Sequence, residues 1–170
     1  AIFIEDQVWP KRCGHTGVKE VVAATEMTEK IKAAVRAKTD PDLLIMARTD
    51  ARSALGSIEA AIERAKTYLK AGAEAIFIEA PQTLEEMRKI PRALPGVTLL
   101  VNMMEGGKTP VLPQKELEKM GYKLIAWPIS SLLATTKMVR EVMEELKTNG
   151  TTARLWDRMA NFKELKNLLD

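Results

Sequence analysis

The chain has 170 residues, of which 46% are hydrophobic and 29% are charged, and its formal net charge is +3. These values are typical of a folded protein of one domain and exclude a disordered chain. No apolar run approaches the roughly 20 residues that span a bilayer, and the first residues lack the pattern of a secretory signal, so we expect a cytoplasmic protein without membrane contact. Lysines and arginines are spread among acids without a basic block, which disfavours nucleic-acid binding.

The chain contains one cysteine and one histidine. A single cysteine cannot form an internal disulfide, and one cysteine with one histidine cannot form a zinc site of these ligand types. A metal ion, if the protein uses one, must therefore be bound through oxygen atoms.

Five short apolar runs are typical of strands that are buried on both faces. A helical pattern follows each run, and two shorter helical patterns complete the chain. We predict Thr25 and Ser57 as N-caps, and Gly72 and Gly121 as the residues that end two of the helices. The predicted strands are residues 1–4, 43–47, 75–78, 97–101 and 123–126, and the predicted helices are residues 25–38, 57–71, 83–94, 113–120, 130–147, 152–159 and 161–169.

Strands that alternate with helices, without hairpin signals, indicate an α/β fold with parallel strands and right-handed crossovers. Two architectures fit this pattern. An open, doubly wound sheet is complete with five strands. A TIM-type barrel has eight strand–helix units in about 250 residues, so residues 1–150 would supply five of those units and residues 151–170 the C-terminal helices. The residue pattern alone leaves both architectures open.

The loop after the first predicted strand concentrates reactive side chains, because Lys11, Arg12, Cys13, Gly14 and His15 are consecutive. Nearby cations favour the thiolate, so Cys13 could give and take a proton near neutral pH, although a lone cysteine is often a small buried apolar residue. His15 could move a proton or could be a loop histidine bound to a backbone carbonyl. Since neighbouring side chains of an extended loop point apart, at most one of Lys11 and Arg12 should face the site.

Charged and polar residues stand at the carboxyl ends of the predicted strands, where parallel sheets and barrels carry their active sites. Arg48 could bind a substrate carboxylate, or could form a salt bridge with Asp50. Glu5 and Glu79 could bind Mg²⁺ directly or through water, act on a proton, or pair with nearby cations. Asn102 could donate a hydrogen bond to an oxyanion, or could simply end its strand.

Residues 103–110 follow the fourth predicted strand and contain one Gly-Gly pair and one lysine. Their glycine spacing is not that of a phosphate-binding loop. We interpret this segment as a mobile loop on the active-site side.

Several of these segments, in the same order, resemble the isocitrate lyase and phosphoenolpyruvate mutase superfamily. The most specific is the Lys-Arg-Cys-Gly-His sequence at residues 11–15, and the similarity extends from residue 1 to the end of the chain. The resemblance implies an eight-stranded TIM-type barrel, of which this chain would supply strands 4–8 and the C-terminal helices. The matching segments are Ile4-Glu5-Asp6-Gln7, Lys11 to His15, Ala47-Arg48-Thr49-Asp50, Ala71-Gly72-Ala73, Glu79-Ala80, Asn102 and Pro128.

The resemblance also implies an activity, the Mg²⁺-dependent cleavage of the C2–C3 bond of a 2-hydroxy or 2-oxo acid with a carboxylate on C3. Cys13 would protonate the enolate product, and Lys11 and His15 would be catalytic residues on the same gating loop. The implied substrate-binding residues are Gly14, Arg48, Glu79 and Asn102, and the implied metal contact is Glu5, through water.

Departures from the family pattern bear on the substrate. The phosphonate-forming mutases lack the cysteine of this loop, which favours a lyase. Methylisocitrate lyases carry arginines where this chain has Leu133 and Phe162, and a third carboxylate buried there without a cation would be costly, so the resemblance favours a smaller dicarboxylate such as a substituted malate or oxaloacetate. The aspartates that bind Mg²⁺ in the family have no counterpart in these residues. We expect them, with the missing barrel strands, from a longer form of the chain or a companion chain.

Three further interpretations stay open. The protein could be a methylisocitrate lyase that takes a tricarboxylate, a mutase or hydrolase that acts on phosphonates, or a non-catalytic fragment that serves in assembly. The resemblance further implies a homotetramer with exchanged C-terminal helices, in which residues 162–169 would be the exchanged element.

Overall fold

The computed structural model describes residues 1–15, 17 and 19–169 of the chain. The chain forms two compact units, Ala1–Pro128 and Ile129–Asp170. The first unit holds the strands and every residue proposed above for catalysis, substrate binding and metal contact, and the second holds the C-terminal helices. The predicted division of the chain is a different one: it assigns residues 1–150 to five barrel units and residues 151–170 to C-terminal helices that are exchanged between subunits. That division stays a prediction.

The first unit alternates strands with helices close to the predicted positions. An additional short helix, α2, follows the second strand, where apolar periodicity gave no signal. The strands are β1 (Ile2–Glu5), β2 (Ile45–Thr49), β3 (Ala75–Ile78), β4 (Thr98–Asn102) and β5 (Leu124–Ala126), and the helices are α1 (Ala24–Ala37), α2 (Ala51–Ala54), α3 (Ile58–Lys70), α4 (Leu84–Ala93) and α5 (Gln114–Met120).

The sheet has the strand order β1-β2-β3-β4-β5, and all neighbouring strands are parallel. In an open doubly wound sheet the strand order reverses at a switch point. Here each strand lies beside the strand that precedes it in sequence, which is the order of a TIM-type barrel. The strand order therefore confirms the predicted α/β arc of barrel units and excludes the doubly wound architecture.

The two faces of the sheet bury different side chains. One face packs against the helices and contributes Ile76 and Leu99 to the main core. The opposite face carries a smaller apolar cluster that includes Met46 and Phe77. Arg48 lies beside Phe77 in the register of β2 and β3, with its guanidinium 5.1 Å from the centre of the ring. The face that carries Arg48 is therefore the one turned away from the helices, as in the interior of a barrel.

Helix starts are set partly by caps and partly by distant contacts. Ser57 caps α3 through its hydroxyl group, as predicted. The prediction for Thr25 was wrong, because Ala23 is the N-cap of α1 and no side chain within the described part of the chain caps this helix. An antiparallel bridge between Gln7 and Val21 leads the chain toward α1. A contact between segments distant in sequence thus lies directly before the start of α1.

Pro91 lies within α4, which continues to Ala93. Proline has no N–H, so the carbonyl of Met87, four residues earlier, loses its helical donor. The buried hydroxyl of Tyr122 donates to this carbonyl at 2.9 Å. Gly121 ends α5 as predicted, with φ of 111°, and a Cβ at Gly121 would lie 3.0 Å from the Cβ of Pro91. The end of α5 therefore completes the hydrogen bonding of α4.

The second unit consists of α6 (Ser130–Asn149), a 3-10 helix (Ala153–Arg158) and α7 (Phe162–Leu169). The pattern predicted at residues 152–159 is thus a 3-10 helix. Asn161 and Glu164 exchange side-chain-to-backbone hydrogen bonds at the start of α7, which is a capping box. Among the described residues, none in these three helices is buried. No helix in the described part of the chain is long and apolar enough to cross a membrane.

Candidate active site

The carboxyl ends of β1 to β4 bring Glu5, Arg48, Glu79 and Asn102 together. Arg48 Nη2 lies 3.1 Å from Glu79 Oε2, and Arg48 Nε lies 3.2 Å from Glu5 Oε2. Asn102 Nδ2 donates to Glu79 Oε2 at 3.2 Å. These side chains, which are distant in sequence, form one continuous polar network at the edge of the sheet.

Arg48 is the cation at the centre of this network. Its guanidinium also donates twice to Asp50, from Nε at 2.8 Å and from Nη2 at 3.1 Å. The salt bridge between Arg48 and Asp50, which the sequence allowed, is therefore present. Burial lowers the pKa of Arg48, but the hydrogen bond to Asp50 and the charges of Glu79, Asp50 and Glu5 raise the pKa overall, so the guanidinium stays charged. Burial also raises the pKa of Asp50, against the opposing effect of Arg48.

Glu79 is 2% exposed and uses both carboxylate oxygens. Oε1 accepts from the backbone N–H of Ala80 at 3.0 Å and lies 2.9 Å from His15 Nε2, while Oε2 faces Arg48 and Asn102. Burial raises the pKa of this carboxyl, but His15 and Arg48 lower it overall, so Glu79 is held ionised. Ala80 has φ of 54°, a left-handed conformation that costs a residue with a side chain about 1 kcal/mol. The chain accepts this cost where it turns around the carboxylate.

The predicted gating loop packs onto this network at Gly14. A Cβ at Gly14 would lie 2.3 Å from Glu79 Cγ and 3.0 Å from Arg48 Nη2. No side chain fits in this space, so the loop requires glycine at this position for close approach. Lys11 extends from the same loop to Glu5, with 2.9 Å between Nζ and Oε1.

Cys13 is an exposed free cysteine between Arg12 and Gly14. Exposure is typical of a reactive thiol and excludes the interpretation as a small buried apolar residue. Gln7 holds the preceding backbone, since its Nε2 donates to Arg12 O at 2.8 Å and its Oε1 accepts from Arg12 N at 2.9 Å. Of the two adjacent cations, Lys11 contacts the network through its side chain, whereas Arg12 is bound to Gln7 through its backbone.

His15 lies between Glu79 and the loop that follows β4, and it is 7% exposed. Its Nε2 lies 2.9 Å from Glu79 Oε1, and its Nδ1 accepts from the backbone N–H of Lys108 at 3.0 Å. An acceptor at Nδ1 requires a lone pair there, so the hydrogen bond from Lys108 forms only with an imidazole that carries no proton on Nδ1. The segment 103–110 thus contacts the site, as predicted from its place after β4.

Asp6, for which the sequence pattern predicts no role, is completely buried. Its Oδ2 accepts from the hydroxyls of Thr49 and Tyr68, each at 2.7 Å, and from Arg64 Nη1 at 3.1 Å, and its Oδ1 accepts from the backbone N–H of Asp50 at 2.9 Å. These bonds join the ends of β1 and β2 to α3 behind the site. The signal that could have found Asp6 is a second acid directly after an apolar strand, since successive residues of a strand face opposite sides.

Lys19 is another buried residue that the sequence pattern did not indicate. It is 6% exposed, and its Nζ has no hydrogen-bond partner among residues 1–15, 17 and 19–169. Burial lowers the pKa of Lys19, and the charge of Lys108 lowers it further, against the opposing charges of Asp50, Cys13 and Glu79. The amine therefore lies within the electrostatic field of the site. A single lysine in a loop gives no sequence signal of burial.

The described residues do not form a metal site by themselves. Within the described part of the chain, no group of three or more His, Cys, Asp or Glu side chains could hold a metal ion. Glu5, the metal contact implied by the resemblance, is paired with Lys11 and Arg48. Because Mg²⁺ needs several oxygen ligands in octahedral geometry, these residues do not meet its requirements.

The loop at residues 11–15, the polar network at the strand ends and the arc of parallel strands together indicate an enzyme with a TIM-type barrel fold. The chain belongs to the phosphoenolpyruvate phosphomutase family, whose model matches residues 1–147. This match spans all the strands and the loop at residues 11–15, and it confirms the superfamily predicted from that loop.

Similar proteins give a finer comparison. The chain is 47% identical over 168 residues to 2,3-dimethylmalate lyase of Eubacterium barkeri, covering 99% of this chain and 57% of that protein. It is 45% identical over 166 residues to probable 2-methylisocitrate lyase 1 of Corynebacterium glutamicum, covering 98% and 54%. A solved structure of oxaloacetate acetylhydrolase in complex with 3,3-difluorooxalacetate is similar with a TM-score of 0.83 and 32% identity, over 91% of this chain and 55% of that one. The chain spans little more than half the length of the curated relatives it matches.

Proposed function

We propose that the complete protein is a carbon–carbon lyase that cleaves the C2–C3 bond of a 2-hydroxy dicarboxylate, such as a substituted malate, or of oxaloacetate. The observation that carries this proposal is the packing of Gly14 against Glu79 and Arg48, which seats the cysteine-bearing loop on the strand-end network. The exposed thiol of Cys13 lies on that loop. The relatives that are named lyases support the same class of reaction.

In the proposed reaction, the hydroxyl on C2 loses its proton to a base, its C–O bond becomes a carbonyl, and the C2–C3 bond breaks. The electron pair of the broken bond forms an enolate of C3 and its carboxylate. The Cys13 thiol gives its proton to C3 and remains as a thiolate. For 2,3-dimethylmalate this balance yields pyruvate and propionate. Oxaloacetate follows the same steps from its hydrate, which also carries a hydroxyl on C2.

The other site residues would bind and orient in this scheme. In the described contacts Arg48 uses Nε and Nη2 for carboxylates of the protein, and its Nη1 would take a carboxylate of the substrate. Glu79 would act by holding Arg48, His15 and Asn102 in place, since both of its oxygens are engaged. The roles of Lys11 and His15 as catalytic residues belong to the same proposal.

The proposal requires barrel strands beyond the five that the described residues form. Phe3 in β1 is 52% exposed and Leu124 in β5 is 38% exposed, and each strand has one neighbour in the described sheet. Edge strands with exposed apolar side chains invite pairing with further strands. We place barrel strands 1–3 at these edges, from a longer form of the chain or from a companion chain. Mg²⁺ and its aspartate ligands would come with those strands, and Glu5 would contact the metal through water.

The preference for a small dicarboxylate depends on Leu133 and Phe162. Both lie in the second unit, where they are 45% and 84% exposed. If these positions face the substrate in the assembled protein, they offer no cation to a third carboxylate. Methylisocitrate cleavage stays the competing reaction, and the relative named probable 2-methylisocitrate lyase 1 supports it.

Phosphonate chemistry and a non-catalytic role in assembly each have one supporting observation. The family model is described as phosphoenolpyruvate phosphomutase, which favours chemistry on phosphonates, whereas the cysteine at position 13 favours a lyase. A non-catalytic role in assembly would agree with the incomplete metal ligand set of the described residues.

We further propose a cytoplasmic homotetramer in which the C-terminal helices are exchanged between subunits. Apolar side chains of α6 and α7 support an oligomer, because Leu132 is 63% exposed, Phe162 84% and Leu168 82%. Where exposed apolar side chains form a contiguous surface, that surface marks an interaction site. Light scattering on the complete protein would measure the number of subunits.

A substrate panel tests the reaction class. The full-length protein is incubated with Mg²⁺ and, separately, with 2,3-dimethylmalate, oxaloacetate, 2-methylisocitrate and phosphonopyruvate, and the products are identified by NMR. Two products divided at the C2–C3 bond of a dicarboxylate support the proposal. Turnover of phosphonopyruvate alone, or of none of the four compounds, would overturn it.

A further inference from the structure

We propose that the loop at residues 103–110 is a positioning element of the site, in which Gly107 and the backbone N–H of Lys108 hold His15 as a neutral imidazole with its proton on Nε2. Its consequence for catalysis rests on the proposed lyase function. The geometry and the spectroscopic test do not depend on that function.

The two nitrogens of His15 have different partners. The backbone N–H of Lys108 donates to Nδ1 at 3.0 Å, and Nε2 lies 2.9 Å from a carboxylate oxygen of Glu79. A proton on Nδ1 would bring one N–H group against another, in the cationic imidazole and in the opposite tautomer alike. His15 is 7% exposed, so little water is available to replace either partner. One protonation state therefore fits this space.

Gly107 makes the close approach of this loop to His15 feasible. A Cβ on Gly107 would lie 2.6 Å from Nδ1 and 3.1 Å from Cε1 of His15, and 3.1 Å from the carbonyl oxygen of Met104. Gly106, the preceding residue, has φ of 71° and open space around it. Glycine at position 106 therefore allows the positive φ, whereas glycine at position 107 allows the close approach of the imidazole.

This arrangement changes what His15 can do. Nδ1 is occupied by a donor and Nε2 already carries a proton, so His15 cannot accept a proton while the loop is in place. It acts instead as a positioning group, because its Nε2 lies 2.9 Å from Glu79 Oε1, and Glu79 in turn contacts Arg48 and Asn102. His15 lies after β1 and its partner after β4, so this part of the site forms where these two loops meet.

Nitrogen NMR of the imidazole tests the proposal directly. The chain has one histidine, so the imidazole resonances of ¹⁵N-histidine-labelled chain belong to His15. We expect Nδ1 to resonate as an unprotonated nitrogen and Nε2 as a protonated nitrogen at neutral pH. Gly107→Ala displaces the imidazole, and Lys108→Pro removes the N–H donor. Both should convert the two distinct resonances into the averaged pair of exchanging tautomers.

Lys108→Ala is the matched control, because it removes the exposed side chain and keeps the backbone N–H. Its two imidazole resonances should equal those of the unchanged chain. The backbone amide spectrum establishes that each variant is folded before its imidazole is compared. Averaged resonances or the opposite tautomer in the unchanged chain would overturn the proposal. Distinct resonances that persist in folded Gly107→Ala and Lys108→Pro would overturn it as well.

A kinetic comparison separates this proposal from the proposed function. In the full-length protein, Gly107→Ala should lower kcat on the order of 100-fold, with a smaller change in KM, because the reacting groups are misplaced. If the full-length protein cleaves none of the dicarboxylates, the proposed function fails, and the tautomer measurement still decides the role of Gly107 and Lys108.

Discussion

Arg48 and Glu79 are buried ions that stabilise each other as members of a larger set. Arg48 contacts the carboxylates of Glu5, Asp50 and Glu79, and Glu79 is also in contact with His15. Taking such charges out of water is costly, and the cost is offset only while every partner is present. The removal of one member therefore destabilises more than the loss of one contact suggests.

Glu79→Gln should lower the free energy of unfolding by about 3 kcal/mol at neutral pH, because a buried ion pair is broken. The folded-state pKa of Glu79 lies below its ordinary value of 4.5. Its contribution is therefore complete above that pH and is lost as the pH falls through the folded-state pKa, so the difference between variant and unchanged chain should shrink in acid. Urea unfolding at neutral and acid pH measures this difference.

Glu63→Gln is the control for this measurement. Glu63 pairs with Lys66 at the surface, where its side chain is 69% exposed. Exposed pairs of this kind contribute little to stability. Equal unfolding free energies of Glu79→Gln and the unchanged chain at neutral pH would contradict the stabilising role of the network.

Lys19→Met should stabilise the chain at neutral pH. Burial disfavours the ammonium form, so the pKa of Lys19 in the folded chain lies below its ordinary value of 10.5. Between the folded-state pKa of Lys19 and 10.5, the unfolded chain therefore binds more protons than the folded chain. The destabilisation caused by the buried ammonium group decreases over this range and is gone above pH 10.5. The gain in unfolding free energy should therefore decrease toward alkaline pH. Lys123→Met, at an exposed position, should show no such trend, and a variant less stable than the unchanged chain at neutral pH would contradict this account.

Tyr122 and Pro91 couple two helical elements through one carbonyl group. The hydroxyl of Tyr122 donates to the Met87 carbonyl, whose helical donor is missing because Pro91 has no N–H. Tyr122 is 3% exposed, so water cannot replace the hydroxyl easily. The stability of α4 should therefore depend on the residue that follows the end of α5.

Tyr122→Phe should lower the free energy of unfolding by about 1–2 kcal/mol, because the Met87 carbonyl is left buried without a donor. Pro91→Ala supplies a backbone N–H at the helical position. The cost of Tyr122→Phe should therefore be clearly smaller in a Pro91→Ala background, and a double-mutant cycle of urea unfolding measures the coupling. An equal cost in both backgrounds would show that the hydroxyl does not replace the missing donor.

Local signals made some elements predictable. The strands follow from short apolar runs, and the ends at Ser57 and Gly121 follow from capping chemistry. Thr25 was mistaken for a cap because the bridge between Gln7 and Val21, which leads into α1, leaves no trace in the sequence around the helix start. Local chemistry thus predicts an element, and contacts between distant segments adjust its end.

The candidate site likewise contains residues that local signals predict and contacts that they do not predict. Arg48, Glu79 and Asn102 were predictable because each follows an apolar run, and parallel strands end at one edge. The contact of His15 with Lys108 joins two loops that are distant in sequence, and the burial of Lys19 depends on packing around it. Such features depend on how segments meet, so composition and spacing could not reveal them.

In the first unit, sequential parallel strands form an open arc that carries a polar network at its carboxyl edge. The strand order is that of a barrel, and β1 and β5 are its edges. The polar network at the carboxyl edge is compact, but the described residues include no complete set of metal ligands. The proposed function therefore places the metal ligands on strands outside these residues.

This arrangement makes a prediction about metal binding. The chain of 170 residues should bind Mg²⁺ only weakly, as scattered surface carboxylates do, because Glu5 is paired with Lys11 and Arg48. The full-length protein should bind Mg²⁺ more tightly, since the proposed strands add carboxylate ligands. Isothermal titration of both proteins measures the difference, and equal affinities would contradict the proposed origin of the ligands.

The central claim is that Cys13 supplies the proton that completes carbon–carbon cleavage. In the full-length protein, Cys13→Ser should lower the release of the products of dicarboxylate cleavage by about 10²- to 10⁴-fold, because a serine hydroxyl is a much weaker acid than a thiol. The exposed position of Cys13 means that the unfolding free energy should change by no more than about 0.5 kcal/mol. A large loss of turnover in a protein of unchanged stability is the predicted result, and undiminished turnover would contradict the account.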